Sequence, residues 1–220
     1  MNFRQIFDLE IPPGKVAVGW FNSYSGIIVK TSKATLIFDP VKISLDECIQ
    51  AEAIVITHEH LDHFDPELVA RLQRKTQAQV LTTPFVARHL TCGRVNALRV
   101  NDHIAVGDVE LHAHASLHPA NQPLSFLIST ESGIAIYHSD DSEPFPEMRE
   151  LGEKYKPQIL LFSGTSLEDG VQIAKLIEPK VVVSYYTSEE LAKRFEQEIR
   201  KELPQSETKI IKRFEIYQYP

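Results

Sequence analysis

Apolar residues along this chain come in short runs separated by turn signals, and the spacing within a run changes from one region to the next. Runs rich in Val, Ile and Leu predict strands at Lys15–Trp20, Gly26–Ser32, Ala34–Pro40, Ala53–His58 and Ala78–Thr83, the second and third paired about a polar Lys30–Lys33 turn. Pro66–Thr76 spaces Leu68, Val69 and Leu72 in a charged background, which predicts a helix with Asp65 as N-cap and Pro66 in its first turn. Pro84–Leu90 reads as a short helix. Farther on, Ile104–Ser116 predicts a hairpin turning at Gly107–Asp108. Pro123–Thr130 and Gly133–Ser139 read as strands, Phe145–Lys156 as a helix and Pro157–Gly164 as a strand. Ser166–Pro179 and Ser188–Leu203 are helical in pattern, Lys180–Thr187 is a strand between them, and Lys209–Tyr219 reads as one final strand.

Antiparallel-looking strands thus come first and interleaved helices later, a rhythm that repeats in the second half without any repeat at the level of residues. Sheets covered by helices on their outer faces fit this order better than a doubly wound parallel fold. No linker or low-complexity tract divides the chain, so residues 1–220 are expected to form a single domain. The net charge is −7 (23 Lys and Arg against 30 Asp and Glu), with no basic stripe, which argues against a nucleic-acid partner. No apolar run is long enough to span a bilayer and the first ten residues show no secretory h-region, so a cytoplasmic protein that stays off membranes is expected. Cys48 and Cys92 are too few and too far apart for a disulfide framework or a thiolate metal site. The sequence leaves the oligomeric state open.

One stretch stands apart. "ITHEHLDHFDP", Ile56–Pro66, holds three histidines and two aspartates in eleven residues, immediately after an apolar strand. A loop at the end of a strand can converge alternate side chains on one point. Imidazole with carboxylate suits zinc, and also manganese or iron. His58 and His60 on one ion, with Asp62 and His63 on a neighbour, is a reasonable division.

The spacing His58-x-His60-x-Asp62-His63 after an apolar strand resembles the signature of metallo-β-lactamase-fold hydrolases. Ala34–Pro40, Val109–His118, Ile134–Ser142 and Leu176–Thr187 are similar, in the same order, to later segments of that superfamily, most of all to its lactonase-like branch, which includes L-ascorbate 6-phosphate lactonase. The likeness runs from about Trp20 to Thr187. It implies an α/β architecture of four layers, αββα, in which two mixed sheets pack face to face with helices outside. It implies His58, His60 and His118 on a first ion and Asp62, His63 and a bridging Asp141 on a second. His112 and His114 are rivals to His118, and Asp140 is a rival to Asp141. Asp39 is implied to support the metal loop by hydrogen bonding, and His138 to pack behind the site.

Two segments depart from the pattern. Ser184 stands where the branch carries a further histidine for the second ion, and "WFNSYS", Trp20–Ser25, replaces a histidine-bearing segment. One or two ions per chain are therefore expected. The implied activity is hydrolysis of a small ester, lactone or phosphoester by a metal-bound hydroxide, with Asp62 as catalytic carboxylate and Tyr185 or Tyr186 as a donor to the oxyanion. Arg88, Arg94 and Arg99 could meet an anion but read more simply as surface charge. The alternative is a protein of the same fold that has lost turnover and keeps only metal or ligand binding.

Overall fold

A computed structural model describes residues 3–48, 50–163, 166–185 and 188–220. Two seven-stranded mixed sheets dominate it. The first half of the chain supplies β1 (Val16–Trp20), β2 (Ile27–Lys30), β3 (Thr35–Phe38), β4 (Ala53–Ile56), β5 (Gln79–Thr82) and β6 (Val95–Ala97). The second supplies β7 (His103–Val106), β8 (Val109–Ala115), β9 (Leu124–Thr130), β10 (Ala135–Asp140), β11 (Ile159–Ser163), β12 (Val181–Tyr185) and β13 (Glu207–Ile210). A last strand, β14 (Ile216–Tyr219), returns to the first sheet and pairs antiparallel with β1. Among the described residues six α-helices accompany them: α1 (Phe3–Phe7), α2 (Pro66–Thr76), α3 (Pro84–Ala87), α4 (Glu147–Tyr155), α5 (Leu167–Ile177) and α6 (Glu189–Glu202).

Strand alternation explains the layering. Successive side chains on a strand point to opposite faces. Along β11, Ile159 and Leu161 enter a cluster shared by both sheets, while Leu160 and Phe162 enter a cluster shared with α4, α5 and α6. Along the first sheet, Val29, Phe38 and Val55 join the shared core, while Ile28, Ile37 and Ile54 pack with Leu68, Val69 and Leu72 of α2. Three apolar interfaces therefore separate four layers, αββα, as the resemblance implies. Within each sheet one strand changes the pairing sense. β3 pairs antiparallel with β2 and parallel with β4. β10 pairs antiparallel with β9 and parallel with β11.

Local signals are kept where side chains satisfy backbone groups. Asp65 accepts the Leu68 N–H at 3.0 Å and so caps α2, with Pro66 at its start. Ser166 and Ser188 cap α5 and α6 in the same way, at 3.3 Å each. The Lys30–Lys33 turn forms, with the Thr31 N–H donating to Ala34 O at 2.8 Å. Gly107 opens the β7–β8 hairpin with φ +59°, and a Cβ there would sit 2.6 Å from Lys33 O.

The expected final strand is a correction. Lys209–Tyr219 is not continuous: the chain leaves the second sheet after β13, turns through Lys212–Glu215 with Phe214 at φ +69°, and crosses to the first sheet as β14. The Lys212 N–H donates to Glu215 Oε2 at 2.8 Å and so locks that turn. The short strand β6 and helix α1 also went unpredicted, and the helix expected over Pro84–Leu90 stops at Ala87.

Candidate metal centre

The histidine segment leaves β4 at Ile56 with Thr57, His58 and His63 buried, while Leu61 between them turns out to solvent. The N–H groups of His63 and Phe64 both donate to His60 O, at 2.9 and 2.8 Å, which folds the loop back on itself. Glu59 then fastens it to a remote segment: its Oε1 accepts the Asn121 N–H at 2.8 Å. That bond draws the loop carrying His118 against the loop carrying His60. The Leu124 N–H donates to Thr57 O at 3.1 Å, so the start of β9 in one sheet meets the end of β4 in the other at this point.

The result is a triangle of imidazoles. Ring centres are 4.6 Å apart for His58 and His60, 4.7 Å for His58 and His118, and 4.9 Å for His60 and His118. His60 Nδ1 and His118 Nε2 face each other at 3.1 Å. His58 Nε2 is buried and has no hydrogen-bond partner among the described residues. Two nitrogens each about 2.0–2.1 Å from one tetrahedral zinc lie roughly 3.3–3.4 Å apart, so this donor set fits an ion. An orphaned buried nitrogen among other imidazoles is hard to rationalise otherwise.

Beside the triangle is a second, more anionic group. His63 Nε2 lies 3.2 Å from Asp141 Oδ2 and 3.7 Å from Asp62 Oδ2. Donor atoms of Asp62, His63 and Asp141 all lie within 4.8 Å of one another, as do those of His58, His60 and His118. Asp141 is steadied by the Ser163 hydroxyl, which donates to its Oδ1 at 3.1 Å. Asp62 is the exposed member, with 41% of its side chain open to solvent.

Two buried aspartates hold the ring nitrogens on the far side. Asp39 accepts the Thr57 N–H and the Thr57 hydroxyl, each at 2.9 Å, and its Oδ2 lies 3.0 Å from His63 Nδ1. Asp140 places Oδ2 3.2 Å from His58 Nδ1. Both residues are in the left-handed region, Asp39 at φ +48° and Asp140 at φ +52°. Each lies at the C-terminal end of the strand that changes the pairing sense of its sheet, Asp39 just after β3 and Asp140 as the last residue of β10. With Nδ1 committed to a carboxylate, each imidazole turns Nε2 toward the opening. The rival carboxylates are thus on different sides: Asp141 meets Nε2 of His63, and Asp140 meets the Nδ1 atoms.

The electrostatics follow from this crowding. Burial opposes charge on His63, but Asp140, Asp141 and Asp39 outweigh it and push the imidazole up to about 12. Burial also disfavours the Asp140 carboxylate, yet His63 and His58 hold it far below the usual range. His118 is lowered by burial and by its histidine neighbours His58 and His60, which outweigh the opposing pull of Asp141 and Asp140.

Other expected residues separate cleanly. His112 and His114 point to the outer face of β8 against Tyr155, away from the triangle. His138 is buried and pairs through Nε2 with the Tyr185 hydroxyl at 2.8 Å, a packing arrangement that leaves this phenol no route to substrate. Tyr186 and Thr187 lie outside the described residues. Ser184 is buried on β12. It shares the helix-facing side of β12 with Val182, whereas Val183 and Tyr185 face between the sheets. Sequence reasoning missed Glu59, Thr57 and Ser25, whose Oγ lies 3.1 Å from His63 Nδ1. Glu59 and Thr57 had a signal, being inside or next to the motif; Ser25 had only its place in "WFNSYS". In that segment Asn22 is structural, accepting the Tyr24 and Gly26 N–H groups at 3.0 and 2.9 Å.

Residues 21–173 match the family described as the beta-lactamase superfamily domain. A UPF0173 metal-dependent hydrolase of Methanosarcina mazei is 26% identical over 185 residues, covering 75% of this chain and 79% of the relative. Among solved structures, a metallo hydrolase from Ignicoccus hospitalis superposes with a TM-score of 0.79 at 21% identity, over 94% of this chain and 99% of the other. A diiron β-hydroxylase from Streptomyces venezuelae gives a TM-score of 0.75 at 13% identity, over 94% of this chain but 54% of that one.

Proposed function

Because the chain belongs to the beta-lactamase superfamily domain family, we propose that it is a metal-dependent hydrolase of a small ester, lactone or phosphoester, related to the lactonase-like branch. The observation that carries this reading is the orphaned Nε2 of His58 beside the His60–His118 pair, in a chain similar to a protein called a metal-dependent hydrolase.

His58, His60 and His118 would hold a first ion, for which three imidazoles favour zinc. Asp62, His63 and Asp141 would hold a second, where the larger oxygen share also suits manganese or iron. When bound, the ions supply Lewis acidity toward the attacked oxygen and acidify water. The chain's own residues do the rest. Asp39 and Asp140 fix the ring orientation of His63 and His58 through Nδ1. Asp141, held by Ser163 beside His63 Nε2, would supply the carboxylate shared between the two ions. Asp62, the exposed carboxylate, accepts the proton from the nucleophile and passes it to solvent. The two free cysteines, Cys48 and Cys92, support the reading of a cytoplasmic protein.

A second reading, metal or ligand binding without turnover, is favoured by the second group holding only three candidate donors among the described residues, with Tyr185 rather than an imidazole on the inner face of β12. Elemental analysis with a panel of lactones, esters and phosphodiesters separates the two. Wild type should hold metal and hydrolyse at least one class, and the His58→Ala, His60→Ala double variant should lose both. Bound metal with no hydrolysis of any class would favour the binder; hydrolysis surviving the double substitution would end the proposal.

A further inference from the structure

The loops that bring His118 and Asp141 to the centre do not end there. The Leu117 N–H donates to Ser142 Oγ at 2.9 Å and the Glu143 N–H donates to Leu117 O at 2.8 Å, so the two loops are stitched together next to the candidate ligands. Beyond that seam they wall a cavity of about 580 Å³ between the outer face of β8 and helix α4. A volume of that size suits a small-molecule group. Val100, Leu117, Phe145, Met148, Leu151 and Tyr155 supply its apolar lining. Leu117 and Val100 are 50% and 45% exposed, two of the four exposed large hydrophobics among the described residues, and Leu61 of the metal loop, 88% exposed, is a third. Apolar surface left open on this side of the molecule calls for a partner.

Polar features narrow the choice. His114 turns a buried Nε2 without a partner among the described residues, in a ring that lines the cavity. Burial, then the nearby His112 and Lys154 charges, depress this imidazole to about 4, so it is neutral and offers a hydrogen bond without a charge. Glu147 and Glu150 outnumber Lys154 around the same space, which disfavours an anionic guest.

We infer that this cavity binds the alkyl or acyl chain of an uncharged lactone or ester whose carbonyl lies at the His118 side of Leu117, an inference that rests on the hydrolase reading above. In the reaction water adds across the acyl–oxygen bond: its hydroxyl goes to the carbonyl carbon, its proton to the departing ring or ester oxygen.

Two lactones that differ only in a side chain test this. With γ-butyrolactone and its hexyl-bearing homologue γ-decalactone, kcat/KM of the wild type should favour the hexyl lactone by at least about tenfold. Ser116→Trp and Val100→Trp each fill the cavity from a residue that lines it. Each should bring the ratio to within about twofold of unity, with metal content and melting temperature as in the wild type. A preference that persists in both filled variants, or no preference in the wild type, overturns the inference. Should neither lactone be hydrolysed, it is the reaction that fails, and the cavity is judged by saturation-transfer NMR with 3-hexylcyclopentanone, an unreactive carbonyl analogue. Hexyl signals seen with wild type and lost in both variants uphold the site; no signal with wild type removes it.

Discussion

Replacing Asp39 by alanine takes away, in one step, the acceptor for the Thr57 N–H, for the Thr57 hydroxyl and for His63 Nδ1. A buried N–H left unpaired costs about 1–3 kcal/mol. Loss of the carboxylate behind a ligating histidine weakens metal binding by about 10–100-fold. Chelator competition on Asp39→Ala should show that drop; unchanged affinity would mean that His63 orients itself. A second expectation concerns protons. With His63 pushed up to about 12, the metal-free protein carries a proton on this imidazole at pH 7. An ion at Nε2 must expel it, so loading releases roughly one proton per chain and affinity falls as the solution is acidified. Calorimetry in buffers of different ionisation enthalpy counts those protons, and a count of zero contradicts the assignment. At this scale the sequence was partly readable. The spacing from His58 to His63 announces itself, because consecutive loop positions need no fold to be recognised as neighbours. The division of labour between Asp140 and Asp141 does not, because it depends on a left-handed backbone at Asp140 imposed by the end of β10. Nor does the facing of Ser184, which one residue of strand register decides.

Helices α4 and α5 approach so closely that a Cβ on Gly152 would lie 2.7 Å from Leu176 O and 2.9 Å from Ile177 Cα. Both obstacles are backbone, so Gly152→Val must push the helices apart. The expected loss is about 1–3 kcal/mol, read as a lower denaturant midpoint at unchanged slope. Because α4 also walls the cavity beside the metal loops, the same variant should alter side-chain selectivity more than metal content. Helices and most strands were legible because capping residues and apolar spacing are local properties: Asp65, Ser166 and Ser188 each mark a helix start that the backbone adopts. The split of Lys209–Tyr219 was not legible. Its residues are mostly β-branched or aromatic on either side of Lys212–Glu215, and only the turn there assigns them to different sheets.

Taken whole, the molecule places its candidate centre at one edge of the two packed sheets, with Asp39 and Asp140 at the C-terminal ends of the strands that reverse the pairing sense of their sheets. This likeness between halves has no counterpart in residue identity, which is why the sequence shows the rhythm and no repeat. Metal bridging those halves should stabilise the fold. Metal held at about 100 times its dissociation constant adds about 2.7 kcal/mol. That amounts to a rise of roughly 5–10 °C in melting temperature for a chain of this length. Scanning calorimetry with and without chelator checks it, and equal midpoints would show that the ion grips the unfolded chain as tightly. The layered architecture could be anticipated from the resemblance. The cavity could not, since its walls come from segments around residues 100, 115 and 150 that nothing in the sequence brings together.

Strand β14 has a consequence for how the protein is made. It covers the open side of β1, yet it is synthesised after every other described strand. Until it emerges from the ribosome, β1 presents unpaired amides and carbonyls next to Val16 and Val18, a template for sticking to other nascent chains. The N-terminal sheet therefore waits on the tail for its closure, and chains stalled before residue 216 are the ones a chaperone would have to shield.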